Sequence, residues 1–182
     1  MLRVKKEKEV KSIMGKEKIN NTKDLYVGIG SNLNNPINQV KKAIQYISAI
    51  DKFNDIKVSD FYESAPMGPT DQNNYINCAV MFKSGESPED ILLLLQDIES
   101  SMGRKKSSVR WSERIIDLDI ILYGNLIHQS DILSIPHINT YERAFVLLPL
   151  IDINPDVHVP NQGYAKDLIK NCLYNDIRKI KK

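Results

Sequence analysis

The stretch DLYVGIGSNLNNPINQVKKAIQYI, residues 24–47, has the pattern of a β-strand followed by an α-helix. Its first seven residues are mostly apolar and lead into the turn sequence GSN, which predicts a strand over 24–30. The pair Asn35-Pro36 predicts the start of the helix, because proline fits the first helical turn, where its missing N–H is not needed. The apolar residues that follow recur at spacings of three and four, which predicts one buried helix face: Ile37, Val40, Ile44 and Ile47.

Two strands, a second helix and a further strand are predicted after this unit. Residues 56–63 and 74–83 are predicted strands, and the segment 64–73 between them is a predicted loop because it contains two prolines, a glycine and an aspartate. The sequence SPED at 87–90 combines a capping serine, a proline and two acids, and therefore predicts a helix start, with Gly103 as the stop. Residues 115–123 are the fourth predicted strand.

The resulting order β-α-β-β-α-β predicts an α+β fold with a ferredoxin-like core and an antiparallel sheet. Extra helices are predicted over 143–154 and 164–173. The length of 182 residues suits one domain, which we expect over 24–176. It is preceded by a disordered basic extension at 1–23 and followed by a basic tail at 177–182.

The formal net charge of +2 conceals an uneven distribution. Residues 1–23 carry +5 and residues 24–182 carry −3, while the segment 104–114 holds five basic residues and one acid. The extension is expected to be solvated chain, and a basic arm that contacts nucleic acid is the alternative. The charge that bears on function is therefore the cationic segment within the domain.

The remaining composition indicates a protein of the cytoplasm. No apolar run approaches the roughly 20 residues that a membrane-spanning helix needs, and the N-terminus lacks the apolar core of a secretory signal. Only two cysteines occur, Cys78 and Cys172, without the spacing of a zinc site or a disulfide framework. This cysteine usage fits a reducing compartment.

The segment RWSERIIDLDII, residues 110–121, carries the most informative chemistry. On a strand, Asp117 and Asp119 lie on one face and the apolar residues on the other: Ile116, Leu118, Ile120 and Leu122. Neighbouring carboxylates favour a cation between them, and Mg²⁺ commonly binds one or two carboxylates together with substrate phosphates. The guanidinium groups of 104–114 suit phosphate oxygens. The combination predicts a polyphosphate site, with a solvated pair of surface acids as the alternative.

Six sequence blocks occur in the order of one known family. They are GIGSNL (28–33), SAPMGPTDQNNYINCAV (64–80), QDIESSMGR (96–104), RWSERIIDLDIIL (110–122), IPH (135–137) and ERAFVLLPL (142–150). Over about residues 26–174 the chain resembles the 6-hydroxymethyl-7,8-dihydropterin pyrophosphokinases of folate biosynthesis. The resemblance implies transfer of a pyrophosphoryl group from ATP to the hydroxymethyl oxygen of the pterin, with release of AMP.

The resemblance also implies which residues form the nucleotide side of the active site, where ATP and its metal ions bind. It implies that Asp117 and Asp119 hold two Mg²⁺ ions across the triphosphate, and that Arg104 and Arg114 stabilise charge at the phosphates during catalysis. It further implies ATP contacts at eight positions: Gln96, Glu99, Arg110, Trp111, Ile120, Ser134, His137 and Arg143.

On a pterin side, the resemblance implies that Tyr75 and Phe145 sandwich the flat ring and that Asn77 binds its polar edge. Three residues of the neighbouring loop are expected to contribute mostly through backbone groups: Ser64, Ala65 and Met67. The residues alone place Tyr75 and Asn77 on one strand face, but without the resemblance they favour Tyr75 and Phe145 as core aromatics. The expected partners are these two small molecules, with other folate enzymes as further contacts.

Two other functions compete with this interpretation. A metal-dependent nucleotide-sugar transferase also uses a DxD pair, but the chain is short for its nucleotide-binding domain. A small basic nucleic-acid-binding domain without catalysis would use the basic tails and the segment 104–114. It leaves Asp117 and Asp119 unexplained, because they would repel a phosphate backbone, and so neither nucleic acid nor a membrane is an expected partner.

Overall fold

An antiparallel sheet of six strands is the centre of the computed structural model, which describes residues 22–68, 71–105, 112–172 and 176–180. Within these residues the strands are β1 (Lys23–Ser31), β2 (Asn54–Val58), β3 (Phe61–Ser64), β4 (Tyr75–Ser84), β5 (Asp117–Tyr123), β6 (His128–Gln129), β7 (Ser134–Ile135), β8 (His158–Val159), β9 (Gly163–Tyr164) and β10 (Ile177–Ile180). The helices are α1 (Pro36–Ser48), α2 (Pro88–Ser101), α3 (Ala144–Ile153) and α4 (Ala165–Leu168), with 3-10 turns at Thr140–Glu142 and Ile169–Asn171.

The strand order of the sheet is β10-β3-β4-β1-β5, and β2 also pairs with β4. All of these pairings are antiparallel. Alternate residues of β4 enter two core clusters: a first cluster that includes Phe82 and residues of α1 and α2, and a second that includes Met81 and residues of α3. The helices thus cover both faces of the sheet, and the predicted combination of helices with an antiparallel sheet is confirmed.

Capping residues in the sequence determine where α1 and α2, the two helices of the first core cluster, begin. The side chains of Asn35 and Ser87 each accept a hydrogen bond from a backbone N–H of the first turn, which confirms both predicted helix starts. The predicted buried face of α1 is wrong at its beginning, because Ile37 is 39% exposed. The helix contacts the core only from Val40 onward, and Ala43 is buried there as well.

The predicted strand 56–63 is in fact two strands, β2 and β3, which lie one after the other along the same edge of β4. The break occurs at Ser59. Its backbone N–H donates to Ala79 O at 3.0 Å, and its hydroxyl accepts a hydrogen bond from Ala79 N at 2.9 Å. The side chain takes the place of a backbone carbonyl in the ladder, so the chain can bend without losing that hydrogen bond.

β5 differs from the predicted strand 115–123 in its first residue and in its register with β1. The strand begins at Asp117, later than the predicted 115, and its ladder with β1 shifts between Ile120 and Leu122. Ile121 is the extra residue, so Ile121 and Leu122 both join the second core cluster. The predicted placement of Leu122 on the same face as Ile120 is therefore wrong, whereas Ile120 lies in the first cluster as expected.

The C-terminal part differs most from the predicted elements. α3 matches the predicted helix 143–154 closely, but the predicted helix 164–173 is only α4 followed by a 3-10 turn. The predicted basic tail at 177–182 is corrected over Ile177–Ile180, because these residues form β10 and pair with β3. Strand formation is favoured there because Arg178 and Lys179 form ion pairs with acids of neighbouring elements.

At the other end, β1 begins at Lys23, inside the predicted extension 1–23, and Lys23 pairs with Ser84. Residues 1–21, on which the rest of that prediction falls, lie outside the described residues. None of the helices in the described ranges combines the length and the apolar composition that a membrane crossing requires.

Candidate active site

An open cleft of about 350 Å³ lies where the middle strands of the sheet meet the loop after β3 and the first turn of α3. It contains all six side chains expected on the pterin side: Ser64, Ala65, Met67, Tyr75, Asn77 and Phe145. It also contains five of those expected on the nucleotide side: Arg114, Asp117, Asp119, His137 and Arg143. The fold therefore brings together residues from distant segments of the chain.

Two glycines of β1 form the floor of the cleft. Gly28 pairs with Asp119 of β5, and Gly30 lies between Asp117 of β5 and Asn77 of β4. A Cβ at Gly28 would lie 3.1 Å from a side-chain carbon of β5, and one at Gly30 would lie 3.4 Å from Asn77 Oδ1. The bare strand thus leaves the carboxylates and the Asn77 amide open to one shared space, which sequence analysis did not foresee.

Two arginines bind one of the carboxylates. Arg104 Nη1 lies 2.7 Å from Asp117 Oδ1, and Arg114 Nη1 lies 2.5 Å from Asp117 Oδ2. Arg104 itself was not found among the residues that line the cleft, but its guanidinium reaches the cleft edge through Asp117. The structure therefore places both predicted catalytic arginines beside the predicted metal ligands.

The other carboxylate, Asp119, has no hydrogen-bond or ion-pair partner among the residues that the structure describes. Burial raises its pKa, and the charge of Asp117 raises it further, while His137, Arg104 and Arg114 act in the opposite direction. Asp119 is half-buried at the wall of the cleft, next to the charge of Asp117, and two such neighbouring carboxylates favour a cation between them.

Glu99 on α2 forms an ion pair with Arg104 on the side away from the cleft. Glu99 is 7% exposed, and its Oε1 accepts hydrogen bonds from Leu118 N at 2.7 Å and from Arg104 Nη1. Burial raises the pKa of Glu99 to about 7, although Arg104 and the Leu118 N–H lower it and Asp117 raises it. Glu99 was expected to contact the nucleotide; the structure places it beneath Arg104, next to the strand that carries the acids.

Asn32, in the turn after β1, is a site residue that sequence analysis missed. It is 1% exposed, its backbone N–H donates to Arg114 O at 3.1 Å, and its Oδ1 accepts from Arg114 N at 2.8 Å. Its Nδ2 donates to Asn73 O at 3.3 Å. One amide thus connects Arg114 to the loop before β4, and the block GIGSNL around it was the available signal.

On the pterin side, Asn77 is 7% exposed and donates from Nδ2 to Ser64 Oγ at 2.9 Å. Tyr75 and Phe145 belong to neither core cluster and are both half-buried at the cleft, so their interpretation as core aromatics is not supported. Burial raises the pKa of Tyr75. The Arg143 guanidinium carbon lies 6.0 Å from the centroid of the Phe145 ring.

Several expected nucleotide contacts lie outside the cleft. Ile120 is 2% exposed in the first core cluster, so its side chain does not reach the cleft. Ser134 is in β7, paired with Gln129, and Gln96 is exposed on α2. Arg110 and Trp111 lie outside the described residues.

The charged groups suit a metal ion that brings its own further ligands. Within the described ranges, no three or more His, Cys, Asp or Glu side chains are grouped to hold a metal ion. Asp117 and Asp119 offer two carboxylates on one strand face, which suits Mg²⁺ when water and phosphate oxygens complete its coordination. The unpartnered Asp119, whose pKa is raised by burial, fits such a cation.

Comparison with protein families matches residues 26–155 to the model of the 7,8-dihydro-6-hydroxymethylpterin-pyrophosphokinase family. A 2-amino-4-hydroxy-6-hydroxymethyldihydropteridine pyrophosphokinase of Haemophilus influenzae is 41% identical over 145 residues, which cover 80% of this chain and 90% of the relative. The protein of the same name from Pseudomonas aeruginosa is 35% identical over 156 residues, which cover 86% of this chain and 96% of the relative.

Solved structures show a similar fold. A Plasmodium falciparum HPPK-DHPS with pteroate matches 90% of this chain with a TM-score of 0.67 and 16% sequence identity. Another, with pterin and p-hydroxybenzoate, matches 92% with a TM-score of 0.67 and 15% identity. The chain spans about half the length of these proteins, 47% and 49% respectively.

Proposed function

The chain belongs to the 7,8-dihydro-6-hydroxymethylpterin-pyrophosphokinase family, and we infer from this membership that it is a pyrophosphokinase of folate biosynthesis. The reaction moves the pyrophosphoryl group of ATP to the hydroxymethyl oxygen of 6-hydroxymethyl-7,8-dihydropterin and releases AMP. The observation that carries this conclusion is the family match over residues 26–155, supported by relatives of that name which the chain covers almost completely. The resemblance of the six sequence blocks is thereby confirmed.

Two Mg²⁺ ions are proposed to bind Asp117 and Asp119, with triphosphate oxygens and water as the other ligands. Support comes from the placement of both carboxylates on one strand face at the cleft, and from the half-buried Asp119, which has no ion-pair partner in the described part of the chain. The ions would supply charge neutralisation at the phosphates. The protein's contribution is to fix two carboxylates at one end of the cleft.

Arg104 and Arg114 bring two further positive charges to the same end. Guanidinium groups suit phosphate oxygens and stabilise the charge that develops during phosphoryl transfer. Glu99 and Asn32 orient them, the first through the Arg104 side chain and the second through the Arg114 backbone. The arrangement supports their proposed catalytic function in attack on the β-phosphorus.

The pterin is proposed to lie between Tyr75 and Phe145, with its polar edge at Asn77 and the backbone of Ser64, Ala65 and Met67. Half-buried aromatic rings and a buried amide at one cleft support this placement. None of the six residues proposed for this side is a carboxylate or a histidine that could act as a general base. Orientation and charge neutralisation must therefore supply most of the rate acceleration.

The remaining nucleotide contacts stay proposals. His137 and Arg143 line the cleft, which supports phosphate contacts for both. The resemblance implies six further ATP contacts, which are part of the proposal: Gln96, Glu99, Arg110, Trp111, Ile120 and Ser134.

An assay of AMP formation tests the function. The protein is incubated with ATP, Mg²⁺ and 6-hydroxymethyl-7,8-dihydropterin, and the nucleotides are separated by chromatography. We expect AMP, formed only when the pterin is present. Formation of ADP, or AMP that does not depend on the pterin, would contradict the assignment, and salt-sensitive binding of DNA or RNA without turnover would favour the nucleic-acid alternative.

The topology of the core, the cellular location and the protein contacts are proposed as well. A ferredoxin-like core is supported by the order of β5, β1, β4 and the β2–β3 edge, with α1 and α2 both in the first core cluster. A cytoplasmic location is supported by the low cysteine content, since the two cysteines, Cys78 and Cys172, lack the spacing of a disulfide framework. Contact with other folate enzymes is supported by the HPPK-DHPS structures that share the fold.

A further inference from the structure

β3 is the strand on which the pterin side of the cleft depends. Its Tyr62 pairs with Asn77, its Ser64 pairs with Tyr75, and the Ser64 hydroxyl accepts a hydrogen bond from Asn77 at 2.9 Å. The cleft loop that contains Ala65 begins directly after it. Because β3 has only four residues, its pairing with β4 alone is a weak constraint on that loop.

β10 covers the other edge of β3. Its four residues pair one to one with the four of β3, and Ile177 lies opposite Ser64. Arg178 forms an ion pair with Glu63, and Ile177 packs against the second core cluster. β10 therefore converts β3 from an edge strand into an interior strand.

Lys179 of β10 connects both walls of the pterin side. Its Nζ lies 2.7 Å from Asp60 Oδ2, just before β3, and 3.0 Å from Asp152 Oδ1 on α3. The Asp152 carboxylate also accepts a hydrogen bond from Asp60 N at 3.1 Å, and the hydroxyl of the buried Tyr62 bonds to the side chains of Asp152 and Lys179. Since α3 carries Phe145 in its first turn, one lysine ties the strand before the cleft loop to the helix of the facing ring.

The nucleotide side lies at the opposite edge of the sheet. The order β10-β3-β4-β1-β5 places two strands between β3 and the strand that carries Asp117 and Asp119. A disturbance of β10 should therefore reach the pterin contacts and leave the nucleotide contacts unchanged.

We propose that β10 is a C-terminal strap that positions the pterin side of the active site, with Lys179 as its principal positioning residue. The strap lies beyond the residues 26–155 that the family model matches. The inference rests on the proposed function, in particular on the assignment of Ser64, Tyr75 and Asn77 to the pterin.

The test compares the full chain with Lys179→Gln, Lys179→Arg and a chain that ends at residue 176. Calorimetry measures the affinity for a non-hydrolysable ATP analogue with Mg²⁺, and then the affinity of that complex for 6-hydroxymethyl-7,8-dihydropterin. Lys179→Gln should weaken pterin binding about three- to tenfold and analogue binding less than about twofold. Lys179→Arg should restore the affinity for the pterin. The chain that ends at residue 176 should lose more affinity for the pterin than Lys179→Gln does.

Lys52→Gln is the matched control, because it removes an exposed lysine–glutamate pair of 2.9 Å with Glu86 and should change neither affinity. Unchanged pterin affinity in Lys179→Gln overturns the inference, and so does equal weakening of both ligands. If the shortened chain does not fold, the Lys179 variants decide, with their folding checked by thermal melting. Failure of the unchanged chain to bind the pterin would instead overturn the proposed function.

Discussion

Replacement of Glu99 by glutamine should stabilise the protein without ligands at alkaline pH. Burial raises the pKa of Glu99 from 4.5 to about 7, so the folded state favours the protonated side chain. The stabilisation that the protonated Glu99 gives to the folded state is fully present below pH 4.5 and is lost as the pH rises through 7. A shift of this size corresponds to about 3 kcal/mol in the free energy of unfolding above pH 7. Glutamine resembles the protonated form and keeps an oxygen for the Leu118 N–H, so the variant avoids the loss.

Urea titrations of both proteins between pH 5 and pH 9 measure the effect. The free energy of unfolding of Glu99→Gln should exceed that of the unchanged protein by less than about 1 kcal/mol at pH 5, and by an amount that grows up to about pH 7 and then levels off. Glu113→Gln, at an exposed position before β5, is the control and should show no such slope. A difference that does not change with pH, or a less stable Glu99→Gln at pH 8, would refute the electrostatic argument.

The remaining predictions concern the two sides of the cleft. Asp119→Asn should lower the rate of AMP formation at least about 100-fold over a Mg²⁺ titration, and near-normal turnover would contradict its proposed function as a metal ligand. Asn32→Ala should lower the free energy of unfolding by about 2 kcal/mol, because the Arg114 N–H loses its acceptor. Asn32→Asp keeps that acceptor, so urea titrations should show a smaller decrease in its free energy of unfolding. Equal decreases in the two variants would refute the hydrogen-bond argument. Phe145→Ala should raise the KM for the pterin at least about tenfold with little change for ATP, whereas a parallel rise in both would contradict its placement.

The elements that were predicted correctly depend on local signals. The caps of α1 and α2 and the alternation that pairs Asp117 with Asp119 lie within a few residues of sequence. The bend at Ser59 and the extra residue Ile121 depend on register with a neighbouring strand, which the sequence of β2 or β5 alone does not contain. Strand pairing also explains why β10 was predicted as a tail: it is short and basic, and its acidic partners lie far away in the chain.

The same distinction applies to the site. The acids and arginines were identified from a single segment, 104–119, because their charge pattern is local. The interaction of Asn32 with Arg114 joins residues 82 positions apart, so no local pattern indicates it. Glu99 was identified through the family resemblance, but its position beneath Arg104 follows from the packing of α2 against β5.

The proposed binding of two chemically different substrates in one cleft depends on the glycines of β1. The acids are on β5 and the amide of Asn77 is on β4, with β1 between them, so any side chain on this face of β1 would separate the two groups. Gly28 and Gly30 remove that obstacle, and a Cβ at either position would approach a neighbouring side chain to within 3.4 Å. In the proposed arrangement, the hydroxymethyl oxygen of a pterin bound at Asn77 would approach phosphates held near Asp117 directly over the bare strand. A side chain at Gly30 should consequently slow transfer more than it weakens the binding of either substrate alone, because it occupies the space where the two must meet.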